Sequence, residues 1–193
     1  MRVDLSNTPL VILDLPKAID HPDWGIRNNP EAEANIAALL QVWRANTWPV
    51  IHVKHNSSEP RSHYRTGQDG NNFKTVVVPI SGEAIAAKTV HSAFVESDLR
   101  NALEALGTKT FILAGVKTNN SIETTVRHGS NLGYDIHLLA DGCFTHDQID
   151  WTGKRWSADD IHAIALSNLD GEYCRVTTSK HVLRGLSVIP RAE

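Results

Sequence analysis

Six short runs of aliphatic and β-branched residues, spaced by segments of helical length, constrain this chain more than any other feature. They are PLVILD (9–14), WPVIHV (48–53), EAIAAK (83–88), TFILAG (110–115), YDIHLLAD (134–141) and EYCRVTTS (172–179). Each is mostly apolar on both faces, as a strand buried in a parallel sheet must be; a strand with one wet face would alternate. Between the runs lie amphipathic segments. Residues 29–46 carry Pro30 and two acids in the first turn, with Ile36, Leu39, Leu40 and Trp43 on one face. Residues 96–107 and 120–133 each end in glycine, and residues 157–171 open with Ser157 and two aspartates. This alternation predicts an α/β domain, a mainly parallel sheet of about six strands with helices on both faces. At 193 residues the chain can build one substantial core, so 1–193 reads as a single domain.

Composition narrows the function. A net charge of −3 leaves no basic surface to advertise nucleic acid and no basic amphipathic segment to advertise a membrane. A small-molecule substrate is the expected partner. Only two cysteines occur, Cys143 and Cys174, without paired spacing; both read as packing residues in a reducing compartment. The start MRVDLSNTPLVILDL lacks a cationic region ahead of a long apolar stretch, so a cytoplasmic location is expected. Apolar side chains expected on helix faces suggest self-association.

In an open parallel sheet the ligand lies beyond the carboxyl ends of the strands. The polar residues there are Asp14, His55, Lys88, the turn TNNS (118–121) and Asp141. Ser121 stands where FILAGV gives way to a helical segment, so free backbone N–H groups should gather around it. Taken singly, each residue has a plainer reading: a helix cap, a solvated strand end. Together they suggest a site with an acid, a cation and a hydroxyl. His52 and His55 are three apart on one strand and face opposite ways, which argues against a shared metal ion. The long stretch 55–74, rich in Gly, Asn and Ser, reads as a binding loop or lid.

LVILDLPKAID, then Lys88 with HSAF (91–94) and SDL (97–99), then LAGVKTNNSIETT, then GYDIHLLADGCF resemble, in that order, the isochorismatase-like cysteine hydrolases. The resemblance spans about residues 8 to 180. It implies a three-layer α/β/α sandwich and an Asp–Lys–Cys triad whose positions fall here on Asp14, Lys88 and Ser121, serine standing in place of cysteine. It further implies an oxyanion hole from the backbone N–H groups of Lys117 and Ser121, a cis bond at Val116–Lys117, no cofactor, and association into dimers or tetramers. A metal cluster of the kind found in the nicotinamidase branch cannot be assembled. Pro16 stands where the family usually has glutamine. Trp24, Tyr64, Arg65 and Phe94 are the expected pocket residues, with Arg65 placed to hold a substrate carboxylate.

Serine changes the chemistry. Moving a thiol proton to an aspartate costs about 6 kcal/mol from reference pKa values, whereas an alcohol with a water-like pKa costs roughly 16 kcal/mol. Three readings stand: a serine enzyme that transfers its proton in concert with attack, a relative of isochorismatase itself in which Asp14 acts directly on a vinyl ether, or an engineered replacement of cysteine. The leading expectation is hydrolysis of a carboxamide or carbamoyl C–N bond. The alternatives are vinyl-ether hydrolysis and a ligand-binding homologue with little turnover.

Overall fold

The computed structural model describes residues 8–186. Its first strand, β1 (Leu10–Leu13), is buried along its whole length. Leu10 and Ile12 face one apolar cluster while Val11 and Leu13 face another, so the strand lies at the centre of a sheet covered on both sides. The remaining strands are β2 (Val50–His55), β3 (Ala84–Lys88), β4 (Thr110–Val116), β5 (Asp135–Phe144), β6 (Gln148–Ile149), β7 (Arg155–Trp156) and β8 (Arg175–Thr177). Six of them form one sheet in the order β3-β2-β1-β4-β5-β8, and every pairing in it is parallel. β6 and β7 form a small antiparallel ribbon of their own.

The helices are α1 (Ala32–Ala45), α2 (Leu99–Ala105), α3 (Glu123–Asn131), α4 (Ala158–Leu169) and α5 (Ser179–Leu186). α1 puts Ile36, Leu39, Leu40 and Trp43 into the first cluster, where Val182 of α5 joins them. Leu99 and Leu103 of α2, Val126 of α3 and Leu169 of α4 fill the second. The result is the three-layer α/β/α sandwich. α4 starts as its sequence suggests, with the Ser157 hydroxyl accepting a hydrogen bond from the Asp160 N–H at 3.1 Å.

Three details differ from expectation. β2 runs on to His55 and β5 to Phe144, so Asp141 and Cys143 lie inside β5 rather than beyond it. Cys174 falls just ahead of a three-residue β8. The α5 helix and the β6–β7 ribbon are additional elements, too short or too polar in pattern to stand out in the chain.

The chain winds outward from β1 through β2 to β3, then returns to place β4 on the other side of β1. That reversal opens a crevice between the carboxyl ends of β1 and β4, the usual ligand position in such sheets. Close approach there requires glycine. A Cβ added to Gly115, which has φ of +130°, would lie 2.0 Å from the Leu13 carbonyl oxygen.

Candidate active site

Three buried polar side chains mark the floor of the crevice. Asp14 follows β1, Lys88 ends β3 and Ser121 lies in the turn after β4; their exposures are 3%, 1% and 7%. Asp14 adopts a left-handed backbone (φ 53°), a conformation that aspartate tolerates better than most residues, and its N–H donates to the Val53 carbonyl at 2.9 Å. The Lys88 ammonium donates to Asp14 Oδ2 at 2.5 Å and to the Val90 carbonyl at 3.1 Å. It also lies 3.4 Å from His55 Nδ1. Asp14 Oδ1 makes no hydrogen bond of ordinary geometry.

Burial pushes the Asp14 carboxyl above the usual carboxylate range, with the Lys88 charge and the nearby Ser121 hydroxyl pulling the other way. Asp14 is thereby a stronger base than a solvated aspartate. His55 is pulled down to about 4, first by burial and then by Lys88 and His91, so its ring is neutral at physiological pH. Neither cysteine offers a substitute nucleophile: burial pushes the Cys143 thiol far up and the Cys174 thiol up to about 12.

The turn that carries Ser121 is a single π-helical turn, Thr118–Ile122, leading directly into α3. It follows a cis peptide bond between Val116 and Lys117. Thr118 Oγ1 is 2.8 Å from His162 Nδ1, and Asn119 Oδ1 accepts a hydrogen bond from the Thr145 hydroxyl at 2.6 Å. The turn is thus pinned from α4 and from the segment after β5.

Above this floor lies a cavity of about 340 Å³, lined by Asp14, Ser121, Trp24, Tyr64, His55 and Lys117 among others. That is the small end of the range for ligand sites. Trp24 and Tyr64 meet edge to face, 6.0 Å between centroids. The stretch 56–63 supplies the opposite rim through Ser57, Ser58, Glu59 and Ser62. The loop's second half is tied down, because Asn71 Nδ2 donates to the carbonyls of His55 and Tyr64 at 3.0 and 2.7 Å. Buried Pro16 bridges to Phe73 of the same loop.

Arg65 and Phe94 are corrected by the structure. Arg65 is exposed and outside the cavity lining, since the chain turns outward immediately after buried Tyr64. Phe94 stacks on Tyr134 at 5.0 Å and packs beside Phe111 and Gly129 of the core; it is His91 of the same block that lines the cavity. Asp141 is likewise remote, accepting hydrogen bonds from the Ser179 N–H and hydroxyl at the start of α5. His52 turns away from His55 to meet Glu83 Oε2 at 2.8 Å. Among the described residues, those that could hold a metal ion are a set the sequence spacing does not suggest: His21, Asp23 and His63 bring one ligand atom each within 4.8 Å of the others. Among the described residues no helix is long and apolar enough to cross a membrane.

The Isochorismatase domain model matches residues 8–181. The chain belongs to the isochorismatase family. A solved structure assigned to the isochorismatase family, from Chromobacterium violaceum ATCC 12472, superposes with a TM-score of 0.93 at 48% identity, covering 98% of each chain. The isochorismatase family protein YrdC of Bacillus subtilis (strain 168), itself uncharacterised, is 34% identical over 174 residues, 90% of this chain and 93% of its own. Nicotinamidase 3 of Arabidopsis thaliana is 26% identical over 148 residues, 70% of this chain and 69% of its own. Membership in this family makes the chain a hydrolase with amidohydrolase relatives.

Proposed function

We propose that this isochorismatase-family hydrolase cleaves the C–N bond of a small carboxamide or carbamoyl compound at Asp14, Lys88 and Ser121. The observation that carries the reading is the buried Asp14–Lys88 ion pair, whose Asp14 lines the cavity together with Ser121. Burying both charges is costly, and a pair held this way is retained where its charges are needed. The Ser121 hydroxyl attacks the substrate carbonyl carbon as its proton moves to Asp14, and the carbonyl oxygen becomes an oxyanion facing the N–H groups of Lys117 and Ser121. Asp14 then passes the proton to the departing nitrogen, and water releases the acyl group. Lys88 keeps Asp14 ionised before attack.

Serine is the obstacle in this scheme, and the raised Asp14 carboxyl only narrows the gap. The same raised carboxyl supports a second reading, in which Asp14 protonates the carbon of a vinyl ether and water adds without a covalent intermediate. Ammonia release from an amide panel, run beside pyruvate release from isochorismate, separates the two. Ammonia release that saturates with amide supports the first reading. Pyruvate release without amide turnover supports the second, and saturable binding with neither product would show a protein that kept the pocket and lost the chemistry.

A further inference from the structure

Lys117 is an ammonium in the cavity with no carboxylate among the described residues to neutralise it. Its side chain is half-buried, lines the cavity, and places Nζ 4.2 Å from the Trp24 ring centroid. Among the described residues no Asp or Glu lies within ion-pair distance of it. The cavity's two carboxylates are otherwise engaged: Asp14 holds Lys88, and Glu59 is on the exposed rim. Of the other described buried or half-buried lysines, Lys88 is paired with Asp14 and Lys74 with Asp20 and Glu33, while Lys54 lies over the Phe73 ring outside the cavity lining. Lys117 therefore carries a desolvation cost that no carboxylate among the described residues offsets, and burial draws its pKa down. The Trp24 face offsets part of that cost through a cation–π contact, and it also fixes the ammonium in place, since the indole N–H is tied to the Ala18 carbonyl at 2.8 Å.

We propose that Lys117 Nζ binds a carboxylate of the substrate, so that the compound hydrolysed is a small amide bearing an acid group. This rests on the amide-hydrolysis reading given above. The chemistry points to a single negative charge. A phosphomonoester would need a second cation, and the cavity-lining His55 is neutral at physiological pH while Lys88 is already paired. Binding at Lys117 would also orient the substrate, because the residue's backbone opens the turn that carries Ser121 four positions later. One residue then sets both where the acid end sits and how the carbonyl approaches the hydroxyl. The cavity volume of about 340 Å³ is that of a small-molecule site. Lys117 thus takes the carboxylate-holding role expected of Arg65 on the long loop.

The test uses the mono-amides of the straight-chain dicarboxylic acids from oxalic to adipic, each against the corresponding neutral diamide. Ligand-induced thermal shift reports binding and ammonia release reports turnover, for the parent, Lys117→Met and Lys117→Arg. At least one acid amide should be preferred over its diamide by roughly tenfold to a hundredfold in the parent. The preference should collapse in Lys117→Met and largely persist in Lys117→Arg. The acid-to-neutral ratio is taken within one protein, so partial unfolding of a variant leaves it unaffected. No preference anywhere in the series, or one unchanged in Lys117→Met, overturns the proposal. A Lys117-dependent acid preference in binding without any ammonia release keeps this inference and sinks amide hydrolysis; turnover of acid and neutral amides alike does the reverse.

Discussion

At the residue scale the energetics centre on Lys88. A lysine at a strand end would ordinarily keep its ammonium in water and contribute little to packing. Here it is among the largest fully buried side chains, and its partner Asp14 is buried beside it. Removing one member of such a pair strands the other charge, at a cost of about 3–5 kcal/mol. Lys88→Met should therefore lower the melting temperature as well as reduce turnover by about a hundredfold or more. Adding Asp14→Asn should recover much of the lost stability and none of the activity. A chemical-denaturation double-mutant cycle with parallel rate measurements checks both; additive stability losses would show that the two side chains do not depend on each other. The identities of Asp14, Lys88 and Ser121 were legible because each sits at the carboxyl end of an apolar run or in the turn just after one. Burial of the lysine was not, because sequence says where a strand ends and little about what later covers it.

At the element scale, β1 and β4 must touch for Asp14 and Ser121 to share a floor. Gly115→Ala would drive a Cβ into the Leu13 carbonyl at a φ that side chains avoid, and neither backbone can yield without breaking the β1–β4 register. A loss of stability on the order of 4 kcal/mol or more is expected, read as a shift of the urea midpoint; a change below 1 kcal/mol would mean the strands can separate freely. The loop after β2 makes a different prediction. Asn71→Ala removes two side-chain hydrogen bonds that hold it to His55 and Tyr64. With Tyr64 in the cavity wall, KM should rise severalfold with a smaller change in kcat, and identical kinetics would show that the loop does not shape the site. Length and composition revealed this loop. Which of its residues turn inward, Tyr64 rather than Arg65, depends on tethers such as Asn71 that come from no local pattern.

For the whole molecule, proton linkage gives a direction. His55 and His146 are held down to about 4 in the folded chain, by burial first and then by neighbouring cations: Lys88 and His91 for His55, Lys117 and Arg27 for His146. An unfolded histidine takes up its proton near pH 6.5. Between pH 6.5 and 4 the unfolded chain binds more protons, so stability falls as pH falls through that window. Glu83 extends the trend. Burial raises its carboxyl, but the Arg44 guanidinium, the Ile80 N–H and His52 outweigh it and bring it to about 2. Its contribution is present above pH 4.5 and is lost as pH drops toward 2. Melting temperature measured from pH 8 to pH 3 should decline steadily below 6.5; a flat profile down to pH 4 would contradict the neutral, buried histidines. The architecture itself was the most legible feature, because alternating apolar strands and amphipathic helices with short connections leave few parallel-sheet topologies. The Lys117–Trp24 contact and the Arg44–Glu83–His52 cluster were hidden, since each joins segments that share no periodicity.

In the proposed reaction Ser121, with Asp14 as its base, opens the substrate by covalent attack. The most direct measurement is intact-protein mass spectrometry during turnover of a hydrolysed amide, on the parent, Ser121→Ala and Ser121→Cys. An acyl adduct is expected in the parent, none and no turnover in Ser121→Ala, and turnover kept or increased with a more readily trapped adduct in Ser121→Cys, whose thiol gives up its proton to a carboxylate far more easily. An active Ser121→Ala with no adduct in any of the three would contradict it and move the chemistry to Asp14 alone.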